Sequence, residues 1–133
     1  MSEQKKPNEI SSAALAYLGD SVIELSVRKF LVGSGISHAA ELNAAALSFV
    51  RAAAQSDAMD KIIDLLDEGE AAAFRRGRNI GHTNTPKSAT ALQYRRATGM
   101  EALFGYLYLN GDEKRINELF CLAYADIIQK YIK

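Results

Sequence analysis

The stretch Ala14-Leu15-Ala16-Tyr17-Leu18-Gly19-Asp20-Ser21-Val22 decides the fold. Leu15, Leu18, Val22 and Leu25 recur at intervals of three and four, which is the spacing of one helix face. Asn8, Ser11 and Ser12 offer caps for its start, and Gly33-Ser34-Gly35 ends it, so a helix is predicted to run to about Leu31. Within it Asp20 follows Gly19 among small and apolar neighbours. A carboxylate in that company is expected at or near a buried surface, beside a cation, a donor or a metal that offsets its desolvation.

Helical spacing continues downstream. Ser37 heads an alanine-rich helix predicted to reach about Gln55, and Ser56 or Asp57 restarts the chain into a short helix carrying Met59, Ile62, Ile63, Leu65 and Leu66. Two turns from Glu70 to Arg76 follow. Ser88 or Thr90 caps a helix running to Asn110-Gly111, and Asp112 caps a last one reaching Ile128. No segment alternates as a strand. The fold is therefore expected to be all-α, a helical bundle in one domain spanning 1–133, with 1–10 a flexible N-terminal tail. Gly77 to Thr90, punctuated by glycines and Pro86, lacks any period and is expected to be an exposed loop.

A chain of 133 residues suits one domain. Its single cysteine, Cys121, excludes an internal disulfide and a thiolate metal cluster, which fits a reducing compartment. No apolar run follows the N-terminus as a signal sequence does, and none is long enough to span a membrane. A soluble, cytoplasmic protein without a membrane partner is expected.

Sixteen basic residues balance sixteen acidic ones, so net charge gives no support to a nucleic-acid partner. The distribution does. Between Ala71 and Met100 lie Arg75, Arg76, Arg78, Lys87, Arg95 and Arg96 with no acid, leaving ten basic against sixteen acidic residues elsewhere, net −6. One segment is built to meet an anion, or it is a solvated helical face with a basic loop.

Glu101 is the second acid out of place, flanked by Gly99 and Gly105 in an apolar helix. Small residues beside both acids let two helices approach until the carboxylates meet. Two carboxylates from different helices can hold Mg²⁺, or Mn²⁺ in its place, with waters and phosphate oxygens completing the shell. The alternative is a structural ion pair, for instance with Arg28. His38 and His82 sit in no ligand or triad spacing, and no Glu-x-x-His pair exists. That absence argues against a helical redox or storage protein.

The residues around Asp20 resemble the signature helix of ribonuclease III, and Thr98-Gly99-Met100-Glu101-Ala102-Leu103-Phe104-Gly105 is similar to its second acidic motif. Arg75-Arg76-Gly77-Arg78-Asn79, Thr85-Pro86-Lys87 and Tyr94-Arg95 resemble a subset, the Mini-ribonuclease III proteins. The resemblance spans about Ser11 to Ile128. It implies an all-α ribonuclease III-like endonuclease domain, a two-fold homodimer, Mg²⁺, a double-stranded RNA substrate, and products with 5′ phosphate and 3′ hydroxyl ends. Asp20 and Glu101 inherit the catalytic and metal-binding roles. The Mini subset lacks the appended RNA-binding domain and implies maturation of precursor 23S ribosomal RNA. Two acids of the longer enzymes are missing: Ala16 stands four residues before Asp20, and Thr98 three before Glu101. Glu24, one turn beyond Asp20, could reach the same site or pair with Arg28.

Double-stranded RNA suits the basic segment, because A-form duplexes are recognised by shape, phosphates and 2′-hydroxyls. Arg75, Arg76, Arg78 and Lys87 are expected to contact phosphates, with Asn79 and Thr85 bonding to sugar or backbone. Arg95 and Arg96 are expected to lead the strand toward Glu101. A two-fold dimer matches an antiparallel duplex, and the Gly19 helix is its expected interface. The rival is a non-catalytic helical dimer that binds structured RNA in ribosome assembly.

Overall fold

Ser11 Oγ accepts the Ala14 amide at 3.1 Å, and that cap starts α1 (Ser12–Gly33). The structure, a computed structural model, describes residues 6–80 and 90–132. After α1 come α2 (Ala39–Val50), α3 (Ala52–Ile62), α4 (Glu68–Arg78), α5 (Ala91–Leu109), α6 (Glu113–Ala123) and α7 (Ala125–Gln129), with 3₁₀ turns at Pro7–Glu9 and Ile63–Leu65. Among the described residues there is no strand. None of the described helices is long and apolar enough to cross a membrane.

Several boundaries differ from the sequence expectation. The helix predicted from Ser37 to Gln55 breaks at Arg51, whose extended backbone (φ −63°, ψ 145°) separates α2 from α3. The break lets Phe49 and Met59 enter one core. Ser37 does not cap α2; His38 stands there without a side-chain bond. Helix α4 starts earlier and runs further than predicted, from a reciprocal cap: Asp67 Oδ1 accepts the Glu70 amide at 2.8 Å and Glu70 Oε1 accepts the Asp67 amide at 2.9 Å. Gly77 and Arg78 thus belong to a helix, while 81–89 of the expected loop lie outside the described residues. The last predicted helix breaks at Tyr124, whose buried hydroxyl donates to the Phe49 carbonyl at 2.8 Å.

Helix α5 is the hub, with α1, α4 and α3 packed around it. Its fully buried Met100, Leu103 and Phe104 meet Ile23 and Val27 of α1, Met59 and Ile62 of α3, and Leu119 and Phe120 of α6 in one core. Each such side chain contributes roughly 1.5–3 kcal/mol. Glycines set how close the helices come. A Cβ on Gly19 would overlap the Glu101 carbonyl, and one on Gly105 would overlap the Leu15 carbonyl. On the other flank a Cβ on Gly77 would lie 2.5 Å from Ala102 Cβ, and one on Gly99 2.7 Å from the Phe74 ring. Both α1 and α4 therefore press their backbones onto α5 beside Glu101.

A buried ion pair ties α4 to α6. Glu70, 3% exposed, accepts from Arg115 Nε at 2.8 Å, and Arg115 Nη2 also donates to the Leu65 carbonyl at 2.8 Å. Arg115 holds the Glu70 carboxyl below its usual range, against the opposing effect of burial.

The expected N-terminal tail is partly folded. Pro7–Glu9 form a 3₁₀ turn, Ile10 packs against Leu15, Ala16 and Ala102, and the Ile10 carbonyl is held by Arg76. Met1 to Lys5 lie outside the described residues.

Candidate active site

The close crossing of α1 and α5 brings Asp20 and Glu101 together. Glu101 is half-buried, and its carboxyl lies beside that of Asp20. Burial first, then hydrogen bonding to Asp20 and its charge, push the Glu101 pKa up to about 8. Asp20 itself is exposed, next to the buried Gly19 crossing, so it lies near a buried surface and not within one. Its apolar neighbours do not bury it, because α1 also carries apolar residues outward, with Tyr17 85% exposed and Leu25 65% exposed.

No cation neutralises the pair among the described ion pairs. Arg28, the expected structural partner, instead donates to Glu24 at 2.7 Å. Two acidic oxygen donors held against each other, one of them desolvated, form a hard-donor set that suits a divalent ion. Among the described residues no group of three acids, histidines or cysteines gathers to hold a metal. The positions where longer enzymes carry further acids are packed: Ala16 is buried with Leu15 and Ala102, and Thr98 is buried with its hydroxyl donating to the Tyr94 carbonyl at 3.0 Å.

The basic residues divide into two sets. Arg75 and Arg95 are exposed, and the Arg78 guanidinium lies 5.6 Å from the Phe74 ring centroid and bonds to Asn79 Oδ1 at 3.4 Å. Arg78, Asn79, Ile80, Leu92 and Arg95 line a cleft of 440 Å³ where α4 ends and α5 begins. Arg96 and Arg76 are engaged within the protein. Arg96 pairs with Asp60 of α3, and Arg76 Nη2 donates to the Ile10 carbonyl at 2.8 Å. Thr85, Lys87 and His82 lie outside the described residues. His38 is exposed, away from the carboxylates in sequence and on another helix end.

Sequence spacing missed the bond between Arg76 and Ile10, since no local pattern announces a contact sixty-six residues apart. A larger groove of 660 Å³, lined by Phe30, Phe120, Cys121 and Tyr131, shares no residue with the carboxylate pair.

The family model described as Ribonuclease III domain matches residues 13–112. The chain is 40% identical over 124 residues to the Mini-ribonuclease 3 of Symbiobacterium thermophilum, covering 93% of this chain and 95% of that one. It is 44% identical over 110 residues to the Mini-ribonuclease 3 of Desulfitobacterium hafniense, covering 81% and 68%. An X-ray crystal structure of a Fusobacterium nucleatum protein superposes with a TM-score of 0.82 at 32% identity, covering 96% of this chain and all of that one.

Proposed function

The chain belongs to the ribonuclease III family, with the Mini-ribonuclease 3 proteins, and is an endoribonuclease; from that premise we propose that it cuts double-stranded RNA at the Asp20–Glu101 pair with a divalent cation. The single observation that carries this is the meeting of the two carboxylates, one pushed toward its neutral form by burial and by its neighbour. Asp20 and Glu101 hold Mg²⁺, for which Mn²⁺ can substitute. When bound, the ion supplies Lewis-acid chemistry, acidifying a water nucleophile and offsetting charge on the phosphoryl oxygens. Asp20 would hold the ion from α1 and Glu101 would hold it from α5. The products carry 5′ phosphate and 3′ hydroxyl ends.

Arg75, Arg78, Asn79 and Arg95 lie on the RNA side; Thr85 and Lys87, outside the described residues, are proposed as RNA contacts from their sequence alone. Helix α4 brings this cluster close to the carboxylates, since Gly77 rests on Ala102, the neighbour of Glu101. The substrate is a stem in precursor 23S ribosomal RNA, processed in the cytoplasm.

The working unit is a two-fold dimer joined through the outer face of α1. Tyr17, Leu25 and Val32 form an exposed apolar stripe at spacings of eight and seven, on the helix that carries Asp20. Pairing two such helices sets two cutting centres about one axis, as two antiparallel strands require.

Labelled duplex and single-stranded RNA, each incubated with and without Mg²⁺, test the proposal. Duplex-specific, Mg²⁺-dependent cutting is expected. Binding without cutting would favour the assembly-factor alternative.

A further inference from the structure

We propose that Arg76 serves the reaction as a positioning residue, locking the N-terminal segment over the crossing of α1 and α5, and does not contact phosphate. The inference rests on Asp20 and Glu101 being the cutting pair.

Three observations carry it. The Arg76 guanidinium is half-buried and donates across sixty-six residues to the Ile10 carbonyl at 2.8 Å. A charge-assisted bond to a backbone acceptor is about twice as strong as a neutral one, and it removes part of the cation from competition for phosphate. Next, the residue so held is not a loose end. A 3₁₀ turn, closed by the Glu9 amide on the Lys6 carbonyl at 2.8 Å, delivers Ile10 into a small apolar cluster. That cluster contains Leu15 and Ala16, one turn before Gly19-Asp20, and Ala102, next to Glu101. Finally, Ser11, next after Ile10, is the cap of α1. Arg76 therefore reaches from α4 to the one point where the start of α1 meets the turn of α5 that bears Glu101.

The neighbouring contact strengthens the same junction. Gly77, adjacent to Arg76, is pressed onto Ala102 from the α4 side. Ala102 is thus wedged between Ile10 and α4, and Glu101 takes its position from both. Releasing Ile10 removes one wall of that wedge and frees the first turns of α1. Displacing a reacting group by about 1 Å can lower a rate by about a hundredfold. The bond acts on the geometry of cutting and not on the hold on RNA.

The test compares wild type, Arg76→Met, Ile10→Ala and the double variant, in the full-length chain. Three quantities are read on each: the single-turnover cleavage rate at saturating duplex RNA, the salt dependence of duplex binding without divalent cation, and the thermal midpoint. The expected result is a cleavage rate lowered about tenfold or more in both single variants. The slope of log affinity against log salt stays at the wild-type value. The double variant loses less than the product of the single losses, because the bond to the Ile10 carbonyl and the packing of the Ile10 side chain hold the same segment. A slope shallower by about 0.9 in Arg76→Met with an unchanged saturating rate makes it a phosphate contact and overturns the proposal. A lowered thermal midpoint with a wild-type rate per folded enzyme makes the bond structural only, and overturns it too. Should Arg76→Met fail to fold, Ile10→Ala decides alone, since it keeps the carbonyl but removes the packing that seats it under Arg76: a wild-type rate sinks the clasp. Asp20→Asn, run alongside, tests the underlying site; cutting by that variant would discard the site itself, whatever Arg76 does.

Discussion

The carbonyl of Glu101 occupies the space into which a side chain on residue 19 would project. Gly19→Ala therefore forces backbone against backbone, with no flexible side chain to give way. A cost of about 3 kcal/mol or more is expected, with Asp20 pushed off Glu101 as α1 retreats. Gly33→Ala, at the open end of the same helix where a Cβ meets nothing, should instead gain about 0.5–1 kcal/mol. Thermal unfolding of the two variants checks both signs. Equal effects would mean that packing at the crossing is loose.

Asp20→Asn separates chemistry from stability. Asp20 is exposed and supports no core contact, while its charge repels the Glu101 carboxyl. Cleavage should fall by about 10³-fold or more. The thermal midpoint without divalent cation should change little, as Asp20 is exposed. A large loss of stability would reassign Asp20 to a structural role.

The contrast with the sequence expectation is instructive at this residue. The helix around Asp20 and the Thr90 cap of α5 follow from local spacing. The meeting of the carboxylates is only one of two readings that spacing allows, the other being an ion pair, and it comes with the family resemblance. Exposure of Asp20 does not follow from spacing, because Tyr17 and Leu25 make the outward face of α1 as apolar as an inward one. The breaks at Arg51 and Tyr124 carry no glycine or proline. They arise from tertiary packing, in which Phe49 and Tyr124 must share one core and one hydrogen bond. The start of α4 was legible in Asp67-Glu68-Gly69-Glu70, an acidic capping pair that an acid-rich stretch conceals.

Glu70 and Arg115 predict an acid-sensitive fold. The folded state holds the Glu70 carboxyl below its ordinary 4.5, so between the two values the unfolded chain binds more protons and stability rises with pH. The contribution is complete above about the ordinary carboxylate value and is lost as pH falls through the lowered one. Arg115→Met, which leaves Glu70 buried without its cation, should cost roughly 3 kcal/mol at neutral pH. Denaturant unfolding of wild type and Arg115→Met at pH 7 and pH 3 tests this. The gap between them should narrow at the lower pH, and a constant gap would show that the pair is not what acid removes.

The apolar stripe on α1 predicts a dimer that one charge can split. Tyr17→Asp places a carboxylate in the proposed interface and should yield a monomer in sedimentation at micromolar concentration. As Tyr17 is 85% exposed in the single chain, the substitution should leave the helical signal intact. A wild-type protein that sediments as a monomer under the same conditions would remove the two-fold geometry from the mechanism.

The division of the arginines predicts a pattern in salt dependence. Arg75 and Arg95 are exposed and Arg78 lines the cleft beside Asn79, and under the proposed function each neutralises one phosphate. Replacing any one by Gln should weaken duplex binding and reduce the slope of log affinity against log salt by about 0.9. Arg96, paired with Asp60 across α5 and α3, should behave otherwise. Arg96→Gln breaks a partly exposed ion pair worth about 0.2–1 kcal/mol and should leave the slope unchanged. Titrating fluorescent duplex RNA at several salt concentrations distinguishes the two classes. If Arg96→Gln flattens the slope while Arg75→Gln and Arg95→Gln do not, the strand runs over α3, against the acidic face of Asp57 and Asp60, and the proposed path beside α4 is wrong.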